Sequence, residues 1–246
     1  MLIKECQFCG NTGAHPAAHI FPKSLLGVGP VAFKVYRMAG REPARRSQTG
    51  VYDRQLWCND CELASAKLES YVAPYLQSLD NYKVPWRDPQ GHPIEENGRA
   101  LLWSVREIDA GILHRFVLSL LWRASASQRE EVRGFSLGPY QARLREALRS
   151  SDANLLEPFP YIFRHEDETN LRAGYVTPFR SRYEGVRFVT LCAGGFAFDV
   201  KMSKSPVPEF CRSLVCRSEG PVLVLRHSIA ETGVGRLMAR RFQTGR

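Results

Sequence analysis

The sequence lacks the features that mark several common protein classes. It has no run of about 18 uninterrupted apolar residues, so a transmembrane helix and a membrane partner are not expected. Its amino terminus has no charged segment followed by an apolar run, so no export signal is expected and we predict a cytoplasmic location. Glycine-rich phosphate loops are scarce, which argues against a nucleotide-driven motor, and internal repeats and low-complexity tracts are absent.

The composition is that of a folded, basic protein. The chain has 246 residues, of which 44% are hydrophobic and 24% are charged, so it can bury one large core or two small ones. Lysine and arginine outnumber the acidic residues by 34 to 25, which gives a formal net charge of +9. This surplus favours a polyanionic partner, either nucleic acid or an acidic membrane surface, although a basic surface that only aids solubility is the alternative.

The first 80 residues are predicted to contain two short strands and one helix. Apolar runs predict strands over residues 31–36 and 51–57, and a basic loop over residues 39–50 separates them. A helix is predicted from Glu62 to Leu79, where apolar residues recur at helical spacing. Pro74 is expected to kink or divide this helix.

The hydrophobic period changes in the second part of the chain. The proline- and glycine-rich segment at residues 80–98 predicts a boundary between a domain of residues 1–80 and a domain of residues 95–246. Helices are predicted over residues 99–127 and 139–149. The predicted strands lie at residues 161–163, 185–192, 195–200 and 221–225, with a hairpin turn at residues 193–195. The expected fold class is α+β, with a small antiparallel sheet backed by helices.

Four of the seven cysteines form two Cys-x-x-Cys pairs, Cys6 with Cys9 and Cys58 with Cys61. In a reducing compartment such pairs are typical metal ligands rather than disulfides. Each pair directs two sulfurs to one point, and two pairs complete a tetrahedron around Zn²⁺. We therefore predict a structural zinc, with four buried or redox-active cysteines as the alternative. Three other cysteines lack this spacing and are predicted to be packing residues: Cys192, Cys211 and Cys216.

The segment between the two pairs contains Ala17-Ala18-His19-Ile20-Phe21-Pro22. A histidine followed by an apolar residue, any residue and proline, shortly after a Cys-x-x-Cys, resembles the HNH endonucleases. These enzymes are also called His-Me finger or ββα-metal nucleases, and the resemblance is to their four-cysteine zinc subgroup. It covers about residues 5–70 and implies a small treble-clef-like zinc domain.

The resemblance also implies a catalytic site. His19 matches the general base of the family. Asp53, five residues before Cys58, stands where the family has an asparagine that orients the histidine. Glu62, directly after Cys61, matches a ligand of the catalytic divalent ion, Mg²⁺ or Mn²⁺. The three residues would together hydrolyse a phosphodiester bond.

The chain departs from the family at Ala18, where the family has a second metal ligand. Three nearby residues could replace it: His15, Asp60 and Glu69. Each also has an ordinary explanation, since His15 could hydrogen-bond within its loop and both acids could be solvated surface groups. The strength of the predicted divalent site therefore depends on which side chains lie near Glu62.

Nucleic acid is the expected partner, with DNA favoured over RNA. Lys23 and Arg54 flank the predicted pocket, and Arg45 and Arg46 lie in the basic loop, so all four are predicted to contact phosphates. The second domain is expected to recognise a target, a protein partner or a second copy of the chain. The leading hypothesis is an HNH-like endonuclease, a type common in bacterial defence and mobile elements. The alternatives are a catalytically decayed zinc module that binds nucleic acid or protein, and a zinc-stabilised assembly protein.

Overall fold

Short strands precede the first helix, and a larger β-rich region follows the third. The computed structural model describes residues 3–26, 33–36, 45–47, 51–80, 95–96, 99–103, 108–166, 174–220 and 222–227. The helices are α1 (Asn59–Asp80), α2 (Ala110–Ala126) and α3 (Tyr140–Arg149). The strands are β1 (Ile3–Glu5), β2 (Thr12–Ala14), β3 (Ala18–His19), β4 (Phe33–Tyr36), β5 (Arg45–Ser47), β6 (Tyr52–Asp53), β7 (Glu95–Glu96), β8 (Arg99–Trp103), β9 (Tyr161–Glu166), β10 (Gly174–Tyr183), β11 (Val186–Ala193), β12 (Phe196–Lys201), β13 (Val215–Cys216) and β14 (Leu223–His227).

The largest sheet among the described residues has ten strands. Its strand order is β5-β4-β10-β11-β12-β9-β14-β8-β7, and β13 pairs with β9 beside this path. Most neighbours are antiparallel, whereas β4 runs parallel to β10 and β9 runs parallel to β14. The α+β class is confirmed, but the sheet is larger than predicted. Two of the additional strands, β4 and β5, come from the segment between the cysteine pairs and extend one edge, and the others are β7, β8, β10 and β13.

The hairpin between β11 and β12 turns where the sequence predicts. Gly194 and Gly195 occupy the turn with φ values of 62° and 86°, a left-handed backbone that favours glycine. A Cβ placed on Gly194 would lie 1.5 Å from the backbone oxygen of Leu25. The turn therefore packs directly against the 3-10 turn Lys23–Leu26, which ties the sheet to the amino-terminal segment.

The long helix predicted over residues 99–127 ends close to its predicted end but begins later than predicted. The predicted helix over residues 99–127 is wrong in its first part, where residues 99–103 form β8 and pair with β14. α2 begins at Ala110, because the Asp109 side chain accepts a hydrogen bond from the Ile112 N–H and caps the helix. Pro74 lies inside the 22-residue α1 and does not divide it.

Aromatic rings connect the amino-terminal region with α2. The rings of Trp57 and Trp122 stack with centroids 6.2 Å apart, and Phe8 meets Trp122 edge-on at 5.0 Å. These residues belong to one hydrophobic cluster that continues into the large sheet. The predicted boundary between domains of residues 1–80 and 95–246 stays a prediction, since residues 81–94 lie outside the described part. None of the described helices is both long and apolar enough to cross a bilayer.

Candidate metal centre and the polar cluster beside it

The two cysteine pairs converge from separate elements. The β1–β2 hairpin carries Cys6 and Cys9 in its turn, which closes with the Gly10 N–H donating to the Cys6 carbonyl oxygen at 2.9 Å. Cys58 precedes α1, and Cys61 lies in its first turn. The helix start therefore brings the second pair to the hairpin turn.

The sulfur positions suit a tetrahedral ion. The Sγ atoms of Cys6 and Cys61 are 3.8 Å apart, and those of Cys9 and Cys58 are 3.7 Å apart. All four Sγ atoms lie within 4.8 Å of one another. A Zn–S bond of about 2.3 Å gives a tetrahedron with edges of about 3.8 Å, which matches both distances. The four thiols therefore form a cluster that can hold zinc, as the sequence predicts.

Backbone amides already point at the sulfurs. The N–H groups of Cys9 and Cys58 donate to Cys6 Sγ at 3.5 and 3.3 Å, and the Asn11 N–H donates to Cys9 Sγ at 3.4 Å. Burial raises the pKa of the Cys6 thiol, but hydrogen bonds from the backbones of Cys9, Cys58 and Phe8 and from the Cys9 side chain outweigh it and bring that pKa down to about 7. Burial, reinforced by the neighbouring thiols, raises the pKa of Cys61. Metal binding must displace the protons that remain on the four thiols, so the affinity of the cluster for the metal rises with pH.

His19 and Glu62 belong to a strand–strand–helix unit built around this cluster. β3 and β6 pair antiparallel, with Ala18 opposite Asp53 and His19 opposite Tyr52. α1 begins six residues after β6, at Asn59. This order of elements is the one that the ββα resemblance implies. His19 is half-buried.

Asp53 makes contacts other than the predicted one. The strand register places its side chain on the face of Ala18, opposite to that of His19. Its Oδ1 accepts from the Gln55 N–H at 2.7 Å, and its Oδ2 accepts from Ser127 Oγ at 2.7 Å. Among the described residues no hydrogen bond joins Asp53 to His19. Asp53 thus ties β6 to the end of α2, and its role in orienting His19 stays a prediction.

Arg123 was not found from the sequence, yet it organises the polar side of this unit. Its Nη1 donates to the backbone oxygen of His19 at 3.0 Å and to Glu69 Oε1 at 2.7 Å, and its Nη2 donates to Ser65 Oγ. The guanidinium also lies 4.5 Å from the centre of the Trp57 ring. Arg123 is completely buried. No sequence motif marks it, because its contacts with His19 and Glu69 span 104 and 54 positions along the chain.

Glu62 keeps one carboxylate oxygen free of hydrogen bonds within the described part of the chain. Its Oε2 is buried without a partner. Burial raises the pKa of Glu62, Arg123 lowers it and Glu69 raises it, and the net shift is upward. Across the described ranges, the four cysteines are the only group of three or more His, Cys, Asp or Glu residues placed to hold a metal. A divalent ion at Glu62 would therefore depend mainly on water and phosphate oxygens.

The remaining predicted residues occupy varied positions. His15 is buried, and its Nε2 donates to the Lys4 carbonyl oxygen at 3.1 Å, which is the predicted loop hydrogen bond, and its role as a metal ligand stays a prediction. Asp60 and Arg54 are exposed. Lys23 begins a 3-10 turn, and Arg45 and Arg46 lie in β5. The predicted phosphate contacts of these basic residues stay predictions.

No protein-family model matches the chain, and comparisons with curated proteins and with solved structures give no match either. The functional assignment therefore depends on the geometry described above.

Proposed function

We propose that this protein is a zinc-stabilised endonuclease that hydrolyses phosphodiester bonds in nucleic acid, with DNA the preferred substrate. One observation carries the proposal. The paired strands β3 and β6, the cysteine cluster and α1 form a single unit that holds His19 and Glu62 in the order of the HNH resemblance. The four cysteines fix this unit, and zinc is their proposed ligand.

The proposed chemistry needs a base and a cation. The imidazole of the half-buried His19 takes a proton from the attacking water, since histidine is the side chain that most often serves as a general base. The unpartnered Oε2 of Glu62 is the carboxylate atom available to a divalent ion. Mg²⁺ or Mn²⁺ bound there would supply positive charge to the phosphate oxygens. Arg123 holds the backbone of His19 and so positions the strand that carries the base.

Cleavage assays on the full chain test this proposal. Supercoiled plasmid and a structured RNA are incubated with Mg²⁺, Mn²⁺ or EDTA, using wild type, His19→Ala and Glu62→Gln. Wild type is expected to cut DNA only with metal, and loss of the general base is expected to slow cleavage by about 10²–10⁴-fold. Glu219→Gln is the matched control for Glu62→Gln, because it makes the same change at an exposed acid outside β3, β6 and α1.

The controls separate loss of chemistry from loss of fold. Zinc content and far-UV circular dichroism of each variant must equal those of wild type before its rate is interpreted. Cleavage that persists in both His19→Ala and Glu62→Gln, or absence of cleavage of either nucleic acid by wild type, contradicts the proposal.

A second candidate is a zinc module that binds nucleic acid without cutting it. The observation that favours it is the buried Arg123 beside Glu69 and Glu62, since a permanent cation there partly neutralises the acids that a divalent ion would need. Ala18 supplies no ligand, and Asp53 is occupied by Gln55 and Ser127. Under this candidate wild type binds DNA in a salt-dependent way, and His19→Ala binds equally well, but neither cuts. If wild type does not bind nucleic acid even at low salt, the remaining hypothesis is the zinc-stabilised assembly protein.

A further inference from the structure

A cationic groove lies between the β10–β11 hairpin and the start of α3. Its volume is about 790 Å³. Five basic side chains line it, and no acidic residue does: Arg143, Arg180, Arg182, Arg187 and Lys204. These residues come from α3, from both strands of the hairpin and from the segment after β12. Three of the five cations lie in the hairpin, and the fold brings Arg143 and Lys204 to them from other segments.

Ion pairs in the described ranges do not explain these five cations. Arg182 and Arg187 are direct cross-strand partners, and like charges in such pairs destabilise a sheet. Within the described residues, none of the five basic side chains pairs with a carboxylate. By contrast, Arg164 on the same sheet is buried and binds Asp199 with two nitrogens, at 2.9 and 3.2 Å. Within the part of the chain that the structure describes, the groove cations therefore have no carboxylate partner.

Two further features of the groove suit an anionic ligand. α3 begins at its edge, with no side-chain cap at Pro139 and no acid in the first turn, so the positive end of the helix dipole is not offset locally. Arg180 donates to the backbone oxygen of Ser136 at 3.3 Å, which holds the hairpin close to this helix start. Arg143 lies 5.8 Å from the centre of the Tyr140 ring, which restricts its guanidinium.

The arrangement of the cations selects the class of anion. All five basic residues are exposed, and they are spread along the groove walls on several elements rather than converging in a closed cavity. Enclosed sites for small ligands bury most of the ligand surface, which this groove does not. A row of exposed cations instead suits a chain of phosphates, each met by a separate arginine or lysine.

We propose that this groove binds the phosphate backbone of a nucleic-acid strand, and this inference rests on the proposed function because it places the substrate of that activity on the chain. The groove is a binding surface separate from the His19 unit. Its contacts are sequence-independent, since backbone phosphates carry no base identity.

The test measures binding in the absence of cleavage. A fluorescently labelled single-stranded oligonucleotide is titrated with His19→Ala protein by fluorescence anisotropy over a series of salt concentrations. The groove variant adds Arg182→Gln and Arg187→Gln, and the control variant adds Lys67→Gln and Arg149→Gln. Both changes remove two positive charges from exposed positions, but only the first pair lines the groove.

The groove variant is expected to lose at least tenfold in affinity at low salt. The slope of log affinity against log salt should become shallower by about 1.4, since each lost phosphate contact removes about 0.7 for a single strand. The control variant should stay close to the His19→Ala parent. The groove variant should also fold at least as stably as the parent, because it removes a like-charge pair.

Two results would overturn the inference. The first is an equal loss of affinity in the groove and control variants, which would show that only the net charge of the protein matters. The second is an unchanged affinity of the groove variant. The cleavage assay keeps this failure distinct from failure of the proposed function. If wild type cuts nucleic acid but the groove variant binds as well as its parent, only the groove proposal is refuted. If binding depends on the groove but wild type does not cut, only the nuclease proposal is refuted.

Discussion

The guanidinium of Arg123 lies 2.7 Å from the carboxylate of Glu69 and joins α2 to α1 beside the cysteine cluster. The two side chains are not equivalent, because that of Arg123 is fully buried and that of Glu69 is 21% exposed. The same guanidinium donates to the backbone of His19. A single buried cation thus connects the second helix, the first helix and the strand of the proposed base.

Replacement of this cation by an apolar residue is the first prediction. Arg123→Met should lower the free energy of unfolding by about 3–5 kcal/mol, because Glu69 loses its charged partner and the His19 carbonyl loses a donor. Urea unfolding followed by tryptophan fluorescence measures this change. Arg212→Met is the matched control, since its pair with Glu209 is exposed on both sides and should contribute under about 1 kcal/mol. Equal costs for the two variants would contradict a structural role for Arg123.

The second prediction concerns zinc. Purified protein should contain one zinc ion per chain, and Cys58→Ser should lose it, because its Sγ forms one edge of the sulfur cluster with Cys9. Loss of the ion should also lower the melting temperature, since the hairpin and the start of α1 are joined by it. Elemental analysis and Co²⁺ substitution spectra provide the measurements. Cys216→Ala is the control and should keep the metal, so equal zinc loss from both variants would refute the four-cysteine site.

The third prediction is a dependence of stability on pH through His114. Burial lowers the pKa of His114 to about 4; Glu157 opposes this shift, and Arg115 and Arg217 reinforce it. Its Nε2 donates to the Phe159 carbonyl oxygen at 2.8 Å. Between pH about 6.5 and pH 4 the unfolded state binds a proton that the folded state does not, so stability falls as pH falls.

The expected loss across this window is on the order of 3 kcal/mol. The measurement is the free energy of unfolding at several pH values for wild type and for His114→Gln, whose amide can keep the hydrogen bond. The variant should show a smaller dependence over the same interval. Identical slopes for the two proteins would show that other groups cause the dependence.

The fourth prediction tests the contact between the sheet and the amino-terminal segment. Gly194→Ala should be more destabilising than Gly185→Ala, although both glycines have positive φ. A Cβ at Gly194 would overlap the backbone of Leu25, whereas a Cβ at Gly185 meets nothing within 4 Å. The additional cost should be about 1–3 kcal/mol. Thermal and urea unfolding measure the stability of both variants. Equal losses of stability would mean that the Leu25 segment moves aside freely.

Some elements were predictable because their signal is local. The β11–β12 turn follows from two adjacent glycines between apolar runs, and α3 matches its predicted span closely. The segment Arg99–Trp103 was predicted as helix but forms β8, because Leu102 pairs with Val224 more than a hundred residues later. A pairing of this kind leaves no periodic trace in a five-residue segment. The strand predicted over residues 31–36 is present as β4, but its pairing with β10 and the strand β5, in the predicted basic loop, depend on the same kind of distant contact.

The sequence by itself determined the cysteine quartet and the α+β class, since Cys-x-x-Cys spacing and hydrophobic period are properties of neighbouring residues. Only the tertiary structure decided what surrounds His19. It placed Arg123 against Glu69, directed Asp53 to Ser127, and gathered the groove cations from separate elements. The physical reason is that charge pairing and hydrogen bonding depend on distances of a few ångströms in space, and these distances are set by how sheet and helices pack rather than by separation along the chain.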